Sequence, residues 1–312
     1  MKSLKSRAGI LISVLSLLVV SVPFSVASAQ TGNQTGLAFS PPTFDLSAEP
    51  GQVLHESIKV DNLTTNATPV KASVENFVAV GDQGDVGLTN NQTAYSLAQW
   101  ISVNPSSTVI PAKASSVFNF TVNVPANAEP GGRFGSIVFQ TNSGSSGSKT
   151  GVGVSQQFGS LILLRIAGNA REQASIVNMS SSFSKGNQVI FKTLIKNSGN
   201  VQVKPIGNLV VTNMFGDQVN SQPFGGKYVI PGAERQYDNV WTYKGILFGK
   251  YTATVTLIYG SKNTTLSYAT SFISIPWKLI LICLLIIVII VAVLYKARRR
   301  IFKALRILFG KE

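Results

Sequence analysis

From Leu37 to about Ile273 the chain follows a two-residue period, and that pattern restricts it to antiparallel β-structure. In residues 117–124, Phe118, Phe120, Val122 and Val124 alternate with Asn119, Thr121 and Asn123. In residues 251–259, Tyr251, Ala253, Val255, Leu257 and Tyr259 alternate with Thr252, Thr254, Thr256 and Ile258. Successive side chains of a strand point to opposite faces, so such a segment buries one face and wets the other. Turn signals punctuate the pattern at Glu49-Pro50-Gly51, Asn104-Pro105-Ser106, Glu129-Pro130-Gly131-Gly132, Lys185-Gly186-Asn187, Ser198-Gly199-Asn200 and Pro231-Gly232. Only residues 93–100 read as a short helical turn.

Many short strands with regular turns predict an all-β chain of two tandem immunoglobulin-like β-sandwiches, residues 37–169 and 170–274. Gly168-Asn169-Ala170 is the expected boundary, and the Ser/Gly-rich residues 142–151 are expected to form a hairpin tip. Three landmarks repeat in order. Strands ending in Lys59-Val60-Asp61-Asn62 and in Lys196-Asn197 come first, then Ile110-Pro111 and Ile230-Pro231. Gly132-Arg133-Phe134 and Gly249-Lys250-Tyr251 follow. The offsets are 135, 120 and 117 residues. They predict two versions of one layout, with extra loop length in residues 80–95 of the first copy.

The ends of the chain have a different character. Residues 1–29 read as a secretory signal peptide, with Lys2, Lys5 and Arg7 before an apolar stretch and Ala27-Ser28-Ala29 as the cleavage site. Residues 30–36 read as a flexible leader. Residues 279–295 are 17 uncharged apolar residues, extended outward through Trp277. That length predicts a membrane-spanning helix over residues 275–295. Trp277 and Tyr295 occupy its two ends, where amphipathic rings favour the interface. Lys278 starts the run, and Lys296, Arg298, Arg299 and Arg300 follow it, which sets the 296–312 tail inside and the sandwiches outside. In that tail Ile301, Phe302, Leu305, Leu308 and Phe309 share one arc of a helical wheel, so it reads either as a solvated basic tail or as a short helix on the inner leaflet.

Composition now narrows the function. The net charge is +14, but ten of those charges flank the two apolar runs, three at the start and seven around the second run. The body between them has 16 basic and 12 acidic residues. Its basic residues are scattered, so nucleic acid is not an expected partner. The one histidine, His55, cannot build a multi-histidine metal site, and the one cysteine, Cys283, lies within the apolar run. No nucleophile–base pair, phosphate loop or metal cluster stands out. The expectation is a non-catalytic chain with no cofactor and no metal.

Individual candidates favour bland roles. Trp100 and Trp241 read as packing residues rather than ligand platforms. Arg133 could meet an anionic polymer, but its repeat with Lys250 favours a solvated position at a strand entrance. Asp82 and Asp85, among glycines, only faintly match a calcium loop, since the spacing lacks the closing glutamate. Seven N-x-S/T sequons occur, at Asn33, Asn62, Asn66, Asn91, Asn119, Asn178 and Asn263.

The layout resembles the WxL-interacting proteins of bacterial surfaces. The resemblance is carried by Ser40-Pro41-Pro42-Thr43-Phe44-Asp45-Leu46 with Pro50-Gly51, by Ile58-Lys59-Val60-Asp61-Asn62 and by Trp100-Ile101 and Val124-Pro125. It continues through Pro130-Gly131-Gly132-Arg133-Phe134-Gly135-Ser136-Ile137, Lys196-Asn197-Ser198-Gly199-Asn200, Leu247-Phe248-Gly249-Lys250-Tyr251 and the terminal helix. It implies a peptidoglycan-binding first domain and a second domain that binds partner proteins. No binding residue is carried over, because the matching positions read as fold determinants. The resulting expectation is a single-pass cell-membrane protein whose extracellular sandwiches tether peptidoglycan or a wall-associated protein. The alternative is an adhesin or surface-assembly factor that binds a protein partner by strand addition.

Overall fold

The computed structural model describes residues 36–141 and 156–309. The expected signal peptide with Ala27 and Ala29, most of the expected leader and the 142–151 hairpin tip lie outside the described residues. Among the described residues, seventeen strands and one long helix follow in order: β1 (Leu37–Ser40), β2 (Thr43–Ala48), β3 (Val53–Asn62), β4 (Thr68–Val80), β5 (Asp85–Thr89), β6 (Ile101–Asn104), β7 (Ser107–Ile110), β8 (Ser115–Asn123), β9 (Gly131–Thr141) and β10 (Gln156–Ile166). They continue with β11 (Ala174–Ser184), β12 (Gln188–Asn197), β13 (Ile206–Thr212), β14 (Gln218–Gly225), β15 (Glu234–Thr242), β16 (Gly249–Tyr259), β17 (Thr264–Ser274) and α1 (Trp277–Phe309). The helical turn expected near residue 100 is a single 3₁₀ turn, Ala98–Trp100.

The first ten strands form one immunoglobulin-type sandwich. One sheet runs β1-β3-β8-β6 and the other β2-β10-β9-β4-β5, with β7 also on β4. The chain changes sheets between β1 and β2: β1 pairs antiparallel with β3, whereas β2 pairs parallel with β10. The alternation in β8 falls as its pattern requires. Phe118, Phe120 and Val122 are buried, and Asn119 and Asn123 are exposed. Phe118 meets Phe139 edge-on at 4.9 Å, and Phe44 meets Phe120 at 5.0 Å, so the two sheets interlock through aromatic rings.

The second sandwich places sheet β11-β12-β15 against β14-β13-β16-β17. In β16, Tyr251, Ala253, Val255, Leu257 and Tyr259 are all buried, and they pack with Phe191, Trp241 and Tyr237. The buried phenols find partners: Tyr237 donates to Lys227 O at 2.8 Å, and Tyr259 Oη accepts Ala174 N–H at 3.1 Å.

Strand β9 departs from alternation. Gly131 through Phe139 are buried on both faces. One face looks into the first core, where Ile137 and Phe139 lie. On the other, Phe134 joins Phe77 and Leu163, and Tyr95, Tyr228 and Ile230 pack against them. Tyr228 and Ile230 belong to the second sandwich, so the outer face of β9 is covered by the neighbouring domain.

Helix α1 differs in extent from the expected 275–295 span. It starts at Trp277 and continues unbroken to Phe309. No Gly or Pro interrupts residues 277–309, and the basic segment is rich in strong helix formers, so nothing stops the helix at Tyr295. Its Leu279–Arg298 segment is long and apolar enough to cross a membrane and is not buried by the rest of the fold. Those 20 residues rise about 30 Å, the thickness of a hydrocarbon core.

Candidate functional site

Two features stand out above the general packing: the joint between the sandwiches and an unfilled edge of β10. The joint draws on residues remote in sequence. Asp45, on the outer face of β2, accepts from Gln202 Nε2 at 3.1 Å and from Tyr228 Oη at 2.8 Å. Burial, then the bond to Asp45 and its charge, push the Tyr228 phenol up to about 12. The Gly132 N–H donates to Asn200 O at 2.7 Å, and Asn200 Nδ2 donates to Pro130 O at 3.3 Å. Gly131 is required here, because a Cβ would lie 2.9 Å from Asn200 O and its φ is +136°.

A second strut crosses the joint on the linker side. Arg165, at the end of β10, pairs with Glu172, and Glu172 Oε2 also accepts the N–H and hydroxyl of Ser261, both at 2.8 Å. Burial pushes the Glu172 carboxyl up, but the bonds from Arg165 and Ser261 outweigh it and hold the group below its ordinary value. The β4–β5 hairpin adds a third tie, with the Gln236 N–H donating to Asp82 O at 2.6 Å. The glycine-rich turn that faintly matched a calcium loop is thus a docking point on the second sandwich. Its Gly84 leaves room for the Arg235 side chain, whose Nη1 donates to Tyr228 O at 2.8 Å.

The faint repeat proves to rest on a pair of buried asparagines. Asn62 closes β3 and donates through Nδ2 to Ile110 O, Pro111 O and Asn66 O, while its Oδ1 accepts Thr64 N–H. Asn197 closes β12 and donates through Nδ2 to Val201 O and Val229 O, while its Oδ1 accepts Gly199 N–H. In both copies the amide binds the carbonyl four residues on and a carbonyl of the X-Pro landmark region, and the oxygen caps the N–H two residues on. The Asn62 sequon is therefore a structural device: its amide nitrogen is committed and the residue is only 1% exposed.

Arg133 is not the solvated residue its repeat with Lys250 predicts. It is buried, donates to Gly132 O at 2.9 Å and Glu129 O at 3.3 Å, and sits 5.6 Å over the Trp100 ring. Burial pulls its guanidinium below the ordinary arginine value. The reason for the difference is which face each residue takes: Arg133 shares the face of β9 that carries Ile137 and Phe139 and lies over Trp100, whereas Lys250 lies on the face of β16 opposite the buried Tyr251. Trp100 packs against the first core, and Trp241 is buried in the second. His55 Nδ1 lies 3.1 Å from Thr121 Oγ1 on the exposed face of its sheet.

The edge of β10 is open at its beginning. Residues Leu161 to Ile166 pair with β2, whereas Gln156 to Ser160 pair only with β9. The Leu161 N–H reaches Pro42 O at 3.0 Å on the β2 side. Backbone groups alternate in direction along a strand, so Gln157 and Gly159 direct their N–H and C=O to the same side. No strand among the described residues covers them there. Phe158 lies beside this stretch, 5.2 Å from Phe39 and 5.5 Å from Phe139 in near-parallel stacks. Gly159 leaves space for Ser136 Oγ, which a Cβ would approach to 2.9 Å. No local sequence pattern marks this edge, since the end of β2 and the switch at Pro41 decide it.

The residues expected to mark a membrane boundary all lie on α1. Trp277 is its first residue and is exposed, and Lys278 follows it. Tyr295, Lys296, Arg298, Arg299 and Arg300 fall within the same continuous helix, with the Arg298 guanidinium 4.2 Å from the Tyr295 ring centroid.

No family model matches the chain, and no curated protein matches it. Among solved structures it is similar to the class 5 fimbriae chaperone CfaA, at 14% identity over 77% of this chain and 100% of that one, with a TM-score of 0.39. It is similar to the Escherichia coli chaperone DraB at 14% identity, over 76% of this chain and 96% of that one, with a TM-score of 0.36. A Salmonella enterica SafB chaperone structure, in complex with SafA pilin, matches at 12% identity over 77% of this chain and 96% of that chain, with a TM-score of 0.35.

Proposed function

We propose that this chain is a non-catalytic, membrane-anchored surface protein that binds an extended segment of a protein partner by strand addition at the open start of β10. The observation that carries the reading is the side of Gln157 and Gly159 that no strand among the described residues covers, continuous with a strand that is held on its other side by β9. An incoming strand would satisfy these backbone groups and continue the sheet where β2 stops. Helix α1 would supply the anchor, and the basic residues after Tyr295 support a topology with the sandwiches outside. The joint ties the first sandwich to the second, whose last strand leads into that anchor. The resemblance to WxL-interacting proteins points instead to peptidoglycan for the first domain. Trp100 offers no open aromatic platform for a sugar, because Arg133 lies over its ring.

Photo-crosslinking from position 157 in the native membrane tests the reading, with position 265 on β17 as the control. A protein adduct specific to position 157 is expected. Gln157→Pro removes only the outward N–H and leaves pairing with β9 intact, so it should abolish the adduct while the melting temperature holds. Co-sedimentation of the chain with isolated sacculi, together with no adduct at position 157, would replace this reading with wall binding.

A further inference from the structure

The end of the second sandwich next to α1 differs sharply from the opposite end. Strand register brings its loops together. Thr212 pairs with both Gln218 and Thr252, Gly249 pairs with Ser274, and Gln188 pairs with Ser184 and Thr242. The β13–β14 turn, the β15–β16 loop, the β11–β12 turn and the end of β17 therefore share one end. The Tyr243 N–H donates to Asn187 O at 2.9 Å, which ties two of them directly.

The tips of these loops are apolar and exposed. Phe215 is 80% exposed, Phe248 64%, Ile246 61%, Ile273 65% and Ile275 63%. Lys185, Lys244 and Lys250 are exposed among them. The acid in the β13–β14 turn, Asp217, accepts from Asn213 Nδ2 at 3.0 Å. At the opposite end the turns are Ser198-Gly199-Asn200, Gly225-Gly226 and Gly260-Ser261-Lys262-Asn263, and Asn200 meets the first sandwich at Pro130 and Gly132. Isolated exposed apolar residues, such as Ile206 and Ile258 beside the Gly225-Gly226 turn, are ordinary, but a cluster on the loop tips of one end marks an interaction surface.

What covers this surface follows from the chain itself. Only Ile275 and Pro276 separate β17 from α1, so the loops cannot lie far from the plane where the helix enters lipid. We propose that this end of the second sandwich seats on the bilayer, its loop tips partitioning among the lipid headgroups and its lysines meeting lipid phosphates. This rests on the reading that α1 crosses the membrane. Exposed aromatic and aliphatic tips with flanking lysines are the chemistry of interfacial binding, in which apolar groups sink about 5–10 Å into the headgroup boundary. Seated in this way, the sandwiches are held at a set height and tilt rather than swinging on a tether.

The test uses the full chain with Cys283→Ser and a single new cysteine, labelled with an environment-sensitive fluorophore. The protein is reconstituted into vesicles of phosphatidylcholine and phosphatidylglycerol containing a lipid quencher. A label at Lys244→Cys should be quenched several-fold more by a shallow spin-labelled lipid than one at Lys262→Cys in the opposite turn. Phe215→Ser, Ile246→Ser and Phe248→Ser together should lower the Lys244→Cys signal to that of Lys262→Cys. A label on the native Cys283, quenched by a deep spin-labelled lipid, reports the span independently. If the Cys283 label is quenched but the label at position 244 matches that at 262, the span stands and the seating is overturned. A position-244 label shielded from aqueous iodide yet untouched by the lipid quencher indicates a protein on this surface and also overturns the proposal. No quenching at Cys283 removes the membrane reading and this one with it.

Discussion

Replacing Asn197 with alanine removes the side chain that closes β12 onto two separate loops. The residue is fully buried, and its amide makes bonds of 2.8 Å to Val201 O and Val229 O while Oδ1 accepts Gly199 N–H at 2.9 Å. The truncation leaves Val201 O and the Gly199 N–H without partners in a region that water does not readily reach, while Val229 O keeps the Val203 N–H at 3.0 Å. At about 1 kcal/mol for each group left unsatisfied, the second sandwich should lose about 2 kcal/mol. With an m value of about 1.5 kcal/mol/M, its urea midpoint falls by about 1.3 M. Fluorescence of Trp241 reads this transition in the full chain in detergent, with Trp100 and Trp277 replaced by phenylalanine in both proteins. Asn197→Asp keeps the acceptor for Gly199 but turns an oxygen toward two carbonyls, so it should be less stable than the alanine variant at neutral pH. A midpoint shift below about 0.5 M for Asn197→Ala would falsify the assignment of Asn197 as the latch of this domain.

The joint yields two further expectations. Glu172 is held below its ordinary value in the folded chain, so its stabilisation is present above the unfolded carboxyl range and is lost as pH falls through the folded value. The melting temperature of the native chain should drop more steeply between about pH 5 and pH 3 than that of Glu172→Gln, and parallel curves would remove the strut from the account. Asp45→Asn takes away the charge that helps raise Tyr228, so ultraviolet titration should place that phenol below its present value of about 12, with burial still keeping it elevated. An unchanged titration would mean the Asp45–Tyr228 contact does not persist in solution.

The alternation of β8 and β16 was legible without coordinates because it is local: the pleat imposes a period of two on any strand that buries one face. The apolar run of α1 was legible for the same reason, since length and polarity alone qualify it to cross a bilayer. The repeat could be seen in outline through Asn62 and Asn197, although their role could not, because their partners Ile110 and Val229 arrive from distant loops. Arg133 was misread for a similar reason. Its strand resembles that of Lys250, but Arg133 takes the inward face of β9, over Trp100, whereas Lys250 takes the outward face of β16. The contact of Asp45 with Tyr228 joins residues 183 positions apart, and no local pattern announces it. The open side of Gln157 depends on where β2 ends, and the apolar end beside α1 depends on register bringing Phe215, Ile246 and Phe248 together. By itself, then, the sequence determined the period of each strand, the punctuation between strands and the apolar character of α1, all properties of neighbouring residues. Which polar groups are buried, which strand edge stays open and which loops share a surface were decided only by tertiary packing, because each depends on what a remote segment does or does not cover.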